Sequence, residues 1–298
     1  MANLNFIAGR WVNLEKPGGA VFFVGGGTVA YKGKGASDTN TGLTPEQPVS
    51  TIGGAIAKVA NGRGDTVVIL PGNVTVTSAI SITSAMSDLT IAGIKGQGNI
   101  NPSTITGTLA STGDIFSIAA TNVVIEDLHF AASGAANTAR INVAAAGLTV
   151  RGCTFACGAN DLETITVAAA GLHTTIAGNR FYVTANGPDA AIEIESAAAH
   201  FITISSNVFH GQNATNQWDV GAINSAVAHL DCVVSGNTST DGAAIVFSAA
   251  ATGVISLNVM GSGTLGSMLD PGSCMCSENY EADAIDQTAR LFPGTVAS

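Results

Sequence analysis

Two glutamates, Glu193 and Glu195, alternate with Ile192 and Ile194 in the run AIEIE. If the isoleucines face a core, both carboxylates face outward, roughly 7 Å apart along one strand. Paired carboxylates at such separations are the machinery of glycoside hydrolysis, one giving a proton and the other acting as nucleophile or base. Glu163 or Asp161, one repeat upstream, is placed to join them from a neighbouring coil. Any outward strand face carries the same pattern, however, and the expectation is that none of the three glutamates is catalytic.

The other reactive side chains form weaker patterns. His173, His200 and His229 recur near one turn at intervals of 27 and 29 residues, whereas His129 and His210 are scattered. A histidine stack is a metal-binding arrangement, but a polar turn column accounts for the same spacing. Cys274 and Cys276 lack a second Cys or His pair at ligand spacing and read as small packing residues. Five cysteines, an odd number, argue against a disulfide scaffold and for synthesis in a reducing compartment. Gly25, Gly26 and Gly27 are not followed by Lys-Ser/Thr at phosphate-loop spacing. No cofactor and no metal is expected.

Any such side chain would be positioned by a repeat. The stretches VVIEDLHF (123–130), LTVRGCTF (148–155), TTIAGNRF (174–181), ITISSNVF (202–209), CVVSGNTS (232–239) and GVISLNVM (253–260) align, with MCSENYE (275–281) as a fainter copy. Phe130, Phe155, Phe181 and Phe209 form one column, at intervals of 25, 26 and 28. Asn179, Asn207, Asn237, Asn258 and Asn279 form another, at 28, 30, 21 and 21. AAA or AVA recurs at 144–146, 168–170, 197–199, 226–228 and 249–251, each time after an alternating run.

Strand-like alternation at periods of 20–30 residues, without helical periodicity, predicts a solenoid. The fold class expected is all-β, a right-handed parallel β-helix of eight or nine coils. At ~4.8 Å per coil the rod is roughly 40 Å long. The phenylalanines should stack inside. The asparagines should occupy tight left-handed corners and bond through their amides from coil to coil.

Exposed coil ends need covering. Residues 50–62, STIGGAIAKVANG, place Ile52, Ala55, Ile56 and Val59 on one helical face, with Ser50 or Thr51 as cap, and predict a helix plugging the N-terminal end. GDTVVILPG (64–72) then reads as the first buried strand and turn. The organisation expected is an extended arm over 1–21, a β-helix over 22–281 including the capping helix, and a tail over 282–298. Trp11 on the arm and Leu291 and Phe292 on the tail are candidate docking residues, either onto the rod itself or onto a larger assembly.

The segment GASDTNTGLTPEQPVSTIGGAIAKVANGRGDTVVILPG (35–72) resembles the opening of right-handed β-helix proteins of the pectate-lyase-like superfamily. With the repeats, the resemblance covers roughly 22–281. It implies the fold, and it implies a group containing lyases, glycosidases, phage tailspikes, head-decoration proteins and surface proteins. The catalytic motifs of its enzymes do not match. A polygalacturonase-like member would carry an Asp-Asp pair, Gly-His-Gly and Arg-Ile-Lys; here Glu126-Asp127, Phe209-His210-Gly211 and Arg140-Ile141-Asn142 stand nearest. A pectate lyase would surround a basic residue with calcium-binding carboxylates, which Arg151 and Arg180 lack in sequence. Trp218 and Tyr182 do not make an aromatic stripe for binding sugars.

Composition narrows the partners. Charged residues are 11% of the chain against roughly 25% in an average soluble domain, and net charge is −10. This disfavours a nucleic-acid backbone binder, which needs clustered cations. No run reaches 18 apolar residues, so no membrane span is expected, and the first residues do not read as a Sec leader. A bland flank fits a protein covered by copies of itself. β-Helices of phage commonly trimerise side by side, as the resemblance implies. The expected function is a non-enzymatic homotrimer of a phage particle, contacting a major capsid or other virion protein. It would be made in the host cytoplasm and would decorate or stabilise the capsid. The alternative is a tailspike-like glycan depolymerase or polysaccharide lyase.

Overall fold

The structure, a computed structural model, describes residues 4–7, 10–13, 19–25, 35–95, 102–109, 113–132, 137–158, 161–168, 170–185, 188–211, 218–240, 244–248, 250–261, 269–282 and 289–292; at 4–7, 10–13, 137–138, 161–162, 281–282 and 289–292 only the backbone is described. Three short strands recur per coil and stack into three sheets. The first sheet has ten parallel strands, from Val21–Val24 and Thr66–Ile69 up to Gly253–Ser256 and Met275–Ser277. The second runs from Gly72–Val76 to Asn279–Ala282 and the third from Ile80–Ile82 to Leu269–Asp270, also in parallel. The chain is a right-handed parallel β-helix.

Alternation decides which side chains enter. Ile125, Val150, Ile176, Ile204, Val234 and Ile255 are register partners on the first sheet, and all are buried. Ile141, Ile165, Ile192, Ile223 and Ile245 do the same on the third. The second sheet supplies the phenylalanines. Phe130, Phe155, Phe181 and Phe209 stack with centroids 4.7, 4.8 and 5.0 Å apart and planes within 13°. That spacing is the inter-strand distance itself. Phe116 below and Trp218 above meet this stack edge-on.

The asparagine column is buried and fully bonded. Asn207 Oδ1 accepts from the backbone N–H and the Nδ2 of Asn179, both at 3.0 Å. Asn207 Nδ2 donates to the Ile176 carbonyl at 2.8 Å and to Asn237 Oδ1 at 3.0 Å. Asn237 and Asn258 repeat the pattern up to Asn279. Cys153, in the coil below, donates its backbone N–H to Asn179 Oδ1.

The corner conformation is displaced from the expected place. Positive φ belongs to the residue before each asparagine: Gly178 (64°), Ser206 (55°), Gly236 (63°), Leu257 (57°) and Glu278 (52°). Asp127 and Gly152 turn the same corner where Leu128 and Cys153 follow. The left-handed residue makes the turn; the asparagine satisfies the buried polar groups that the turn leaves inside.

The opening segment departs from expectation in one respect. The helix spans Ile52–Ile56, five residues, and not 50–62. Gly53 and Gly54 sit inside it, each costing about 1 kcal/mol of helix propensity against alanine, and turns follow from Ala57. Thr51 caps it by accepting from Gly54 N–H. Ile52, Ala55 and Ile56 join the core against the first coil. A cleft of about 410 Å³ lies beside the helix, lined by residues of 51–57 and 75–81. Two aspartates tie this segment down. Asp38 accepts from Ser50 N–H, Thr51 N–H and Thr51 Oγ1. Asp65, 1% exposed, accepts from Ala20 N–H, Ala60 N–H and the Arg63 guanidinium.

Both termini contain strands. Leu4–Ile7 and Arg10–Asn13, the latter carrying Trp11, form an antiparallel hairpin. Ala289–Phe292 pairs antiparallel with Asn279–Ala282, setting Leu291 opposite Tyr280 and Phe292 opposite Asn279. This part of the tail therefore closes the last edge of the second sheet. The side chains of Trp11, Leu291 and Phe292 lie outside the described ones.

Asn207→Ala removes one acceptor and one donor from buried partners. At about 1–3 kcal/mol per buried group left unsatisfied, a loss of about 2–6 kcal/mol is expected from urea unfolding. Arg151→Ala breaks the exposed ion pair with Glu126 and should cost under about 1 kcal/mol. Equal losses would refute a stabilising ladder.

Candidate functional site

The third sheet places the carboxylates. Glu193 is in register with Thr166 below and Asn224 above, and its Oε2 accepts from Asn224 Nδ2 at 2.7 Å. Glu163 lies on the strand below but in register with Ala190, three residues from Glu193 along the chain direction. Glu195 follows the strand end and is exposed. The Asp161 side chain lies outside the described ones. Glu193 and Glu195 share the outward alternation of their strand, whereas Glu163 aligns with Ala190 at the strand's start and is not a directly opposed neighbour of either.

Their field is nevertheless common. Burial, then the negative charges of Glu195, Asp189 and Glu193, push the Glu163 carboxyl up to about 7. Burial and the charges of Glu195 and Asp189 push Glu193 up to about 7 against the opposing Asn224 hydrogen bond. Asp189 is raised by burial and by Asp219. Carboxyls half-protonated near neutrality can give or take a proton. Cations of the middle coils are engaged elsewhere. Arg151 pairs with Glu126 at 2.6 Å, and Arg180 lies over the Tyr182 ring at 6.0 Å. Arg140, fully buried at the corner between the second and third sheets, donates to the carbonyls of Ala131 and Ala156; nothing in its sequence context marks it as buried.

The histidines separate. His173 stacks on Phe201 with centroids 4.8 Å apart, His200 Nδ1 accepts from Leu230 N–H, and His229 is buried with Nδ1 2.9 Å from Ser225 Oγ. They occupy three different positions of the turn, so no single column forms. Burial pushes the Cys153 and Cys274 thiols up to about 12, which keeps them unreactive. Trp218 is buried against Phe209. Among the described residues no group of three His, Cys, Asp or Glu side chains is arranged to hold a metal.

The first sheet's outer face carries two columns: Thr149, Thr175, Thr203, Val233, Val254 and Met275, and Arg151, Ala177, Ser205, Ser235, Ser256 and Ser277. From Thr175 to Ser277 neither column contains a charge. This surface is not apparent from the repeat until the inward positions are fixed by register.

The glutamates generate a pH dependence. Their folded pKa values stand near 7 against an ordinary 4.5, so the folded chain holds protons that the unfolded chain has lost. The stability they contribute is full below pH 4.5 and is lost as pH rises to about 7. Glu193→Gln should leave the melting temperature unchanged at pH 4 and raise it at pH 8. With solvent screening the gain is about 2 °C, the scale of a 1 kcal/mol change in a large domain. An identical pH profile for parent and variant would refute the carboxylate coupling.

No protein-family model matches the chain, and no curated protein sequence matches it. Among solved structures, the crystal structure of pectate lyase Pel9A superposes with a TM-score of 0.55 at 11% identity, covering 87% of this chain and 70% of that one. ORF18 of Geobacillus virus E2 aligns at a TM-score of 0.39 and 11% identity, over 97% of this chain and 69% of that one. The pectate lyase likeness extends to the fold: this chain has a pectate-lyase-like parallel β-helix.

Proposed function

We propose that the protein is a non-enzymatic structural component of a virus particle, a phage, in which three copies pack side by side and decorate or stabilise the capsid. One observation carries the reading: the first sheet presents an uncharged outer face from Thr175 to Ser277 on a chain of net charge −10. Such a face favours contact between like-charged copies. The partners are the protein itself and a major capsid or other virion protein, and the location is the virion.

A second reading, a glycan depolymerase or polysaccharide lyase, is favoured by Glu163 and Glu193 standing near 7. It would use one of them as proton donor and Glu195, exposed nearby, as the second carboxylate.

Light scattering on the purified chain should give three times the single-chain mass, and the protein should co-purify with particles. Incubation with bacterial surface polysaccharides should release no oligosaccharide. A monomer absent from particles overturns the structural reading. Cleavage that disappears in Glu193→Gln and Glu195→Gln establishes the enzymatic one.

A further inference from the structure

We propose that the self-association surface is the C-terminal half of the first sheet's outer face together with its two flanking turns, and that its occupant is a second copy of this chain. This rests on the self-packing reading above and specifies where the copies meet.

Exposed apolar side chains are concentrated there. Val233 (39%) and Met275 (68%) face outward on the sheet. Phe201 (49%) and Leu230 (45%) lie at the turns leading into it, and Leu257 (53%) at the turn leading out. Val259 and Tyr280 continue the patch onto the second sheet, while Leu43 and Val220 are the large exposed apolar residues elsewhere among those described.

The fold does not require these residues. The outward column is satisfied by threonine at 149, 175 and 203, and becomes Val233, Val254 and Met275 in the last three coils. Leu257 has φ 57° in a corner that Gly178, Ser206 and Gly236 turn in other coils. Phe201 has φ 58° at a turn where Asp88, Asn122, Gly147, His173 and Asp231 serve elsewhere. Bulky side chains are disfavoured in this left-handed conformation. Two large apolar residues are therefore held in backbone conformations that suit small or polar ones, and both are exposed. Phe201 is met on one side by the His173 ring, 4.8 Å between centroids, and about half of it is left exposed; Leu257 has no such ring contact, and a second copy would cover both.

Charge selects the partner. A second copy also carries −10. The third sheet offers it Glu163, Glu193 and Glu195, and the earlier coils offer Glu126 and Asp127. The proposed face offers Thr, Ser and apolar groups, with Asp231 and Glu278 only at its rim. Five coils at ~4.8 Å by some seven residues of strand and turn present roughly 600 Å², approaching the ~800 Å² per partner of a standard interface. Apolar residues on both edges suit a cyclic arrangement, where the Phe201 edge of one copy meets the Leu257 edge of the next and the ring closes at three.

The test uses the full chain. Parent, V233E/M275E and R180E, the last on the second sheet's outer face, are compared by sedimentation equilibrium, with circular dichroism to verify the coil. Parent and R180E should show three-chain mass and V233E/M275E single-chain mass with an unchanged spectrum. Should the double glutamate variant unfold, V233S/M275S, which restores small polar residues to the column, should weaken association at least tenfold with the spectrum intact. A trimeric parent whose V233E/M275E or V233S/M275S variant remains equally trimeric overturns the surface and leaves the self-packing reading standing. A monomeric parent overturns both.

Discussion

Strands paired in parallel and in register bring each side chain to the inter-strand distance of ~4.8 Å from its counterpart in the next coil. Every column of this protein has to tolerate its own repetition, and this constraint organises the rest. Flat rings tolerate it well, and the phenylalanines stack with planes within 13°. A primary amide tolerates it better, because one end donates and the other accepts: each asparagine from 179 to 258 gives its Nδ2 to the next Oδ1 while that same oxygen takes its backbone N–H. The ladder holds the corner between the first and second sheets with no unsatisfied amide in those four steps.

Charges tolerate repetition worst. Two like charges at the strand spacing repel, and removing them from water raises the cost. On the first sheet the charged register pair is Glu126 beside Arg151, of opposite sign. On the third, Glu193 sits between Thr166 and Asn224, both neutral. Low charge is therefore in part a property of in-register stacking, to which the uncharged outer face of the first sheet adds an unbroken run from Thr175 to Ser277. The apolar residues of the last coils say more. Stacking asks a column to be uncharged, which threonine and serine already achieve; it does not ask for Val233, Met275, Phe201 or Leu257 in water.

The solenoid is legible in the sequence because identical environments recur at each coil and select identical residues. Phe181 and Asn179 announce their columns for that reason. The corner is less legible: Gly178, Ser206, Gly236, Leu257 and Glu278 share one backbone conformation without sharing chemistry, so the asparagine beside them attracts the assignment. The helix is overextended because the apolar period through Val59 continues past the point where Gly53 and Gly54 weaken it and turns take over. At the carboxylates, AIEIE fixes which residues face out, but not that Glu163 aligns with Ala190. Registers across unequal loops are set by the stack and are invisible in a single repeat. Arg140 and Trp218 are hidden for a related reason: what buries them, the Ala131 and Ala156 carbonyls for one and Phe209 for the other, is not adjacent to them in the sequence.

The same rigidity bears on the choice between catalysis and assembly. A carboxylate near 7 is useful to an acid catalyst, yet here burial comes first among the causes and the charges of neighbouring acids second. Both follow from crowding glutamates onto a half-buried wall, so the shift has a sufficient cause without catalytic selection. Assembly draws on a different property. A face built from short or β-branched side chains on paired strands has little rotamer freedom left to lose, and losses of that kind are among the main costs of association. A stacked wall is thus preorganised for contact with another wall. Where that wall also exposes leucine and phenylalanine in left-handed turns, a partner surface would supply contacts beyond the one His173 ring that meets Phe201.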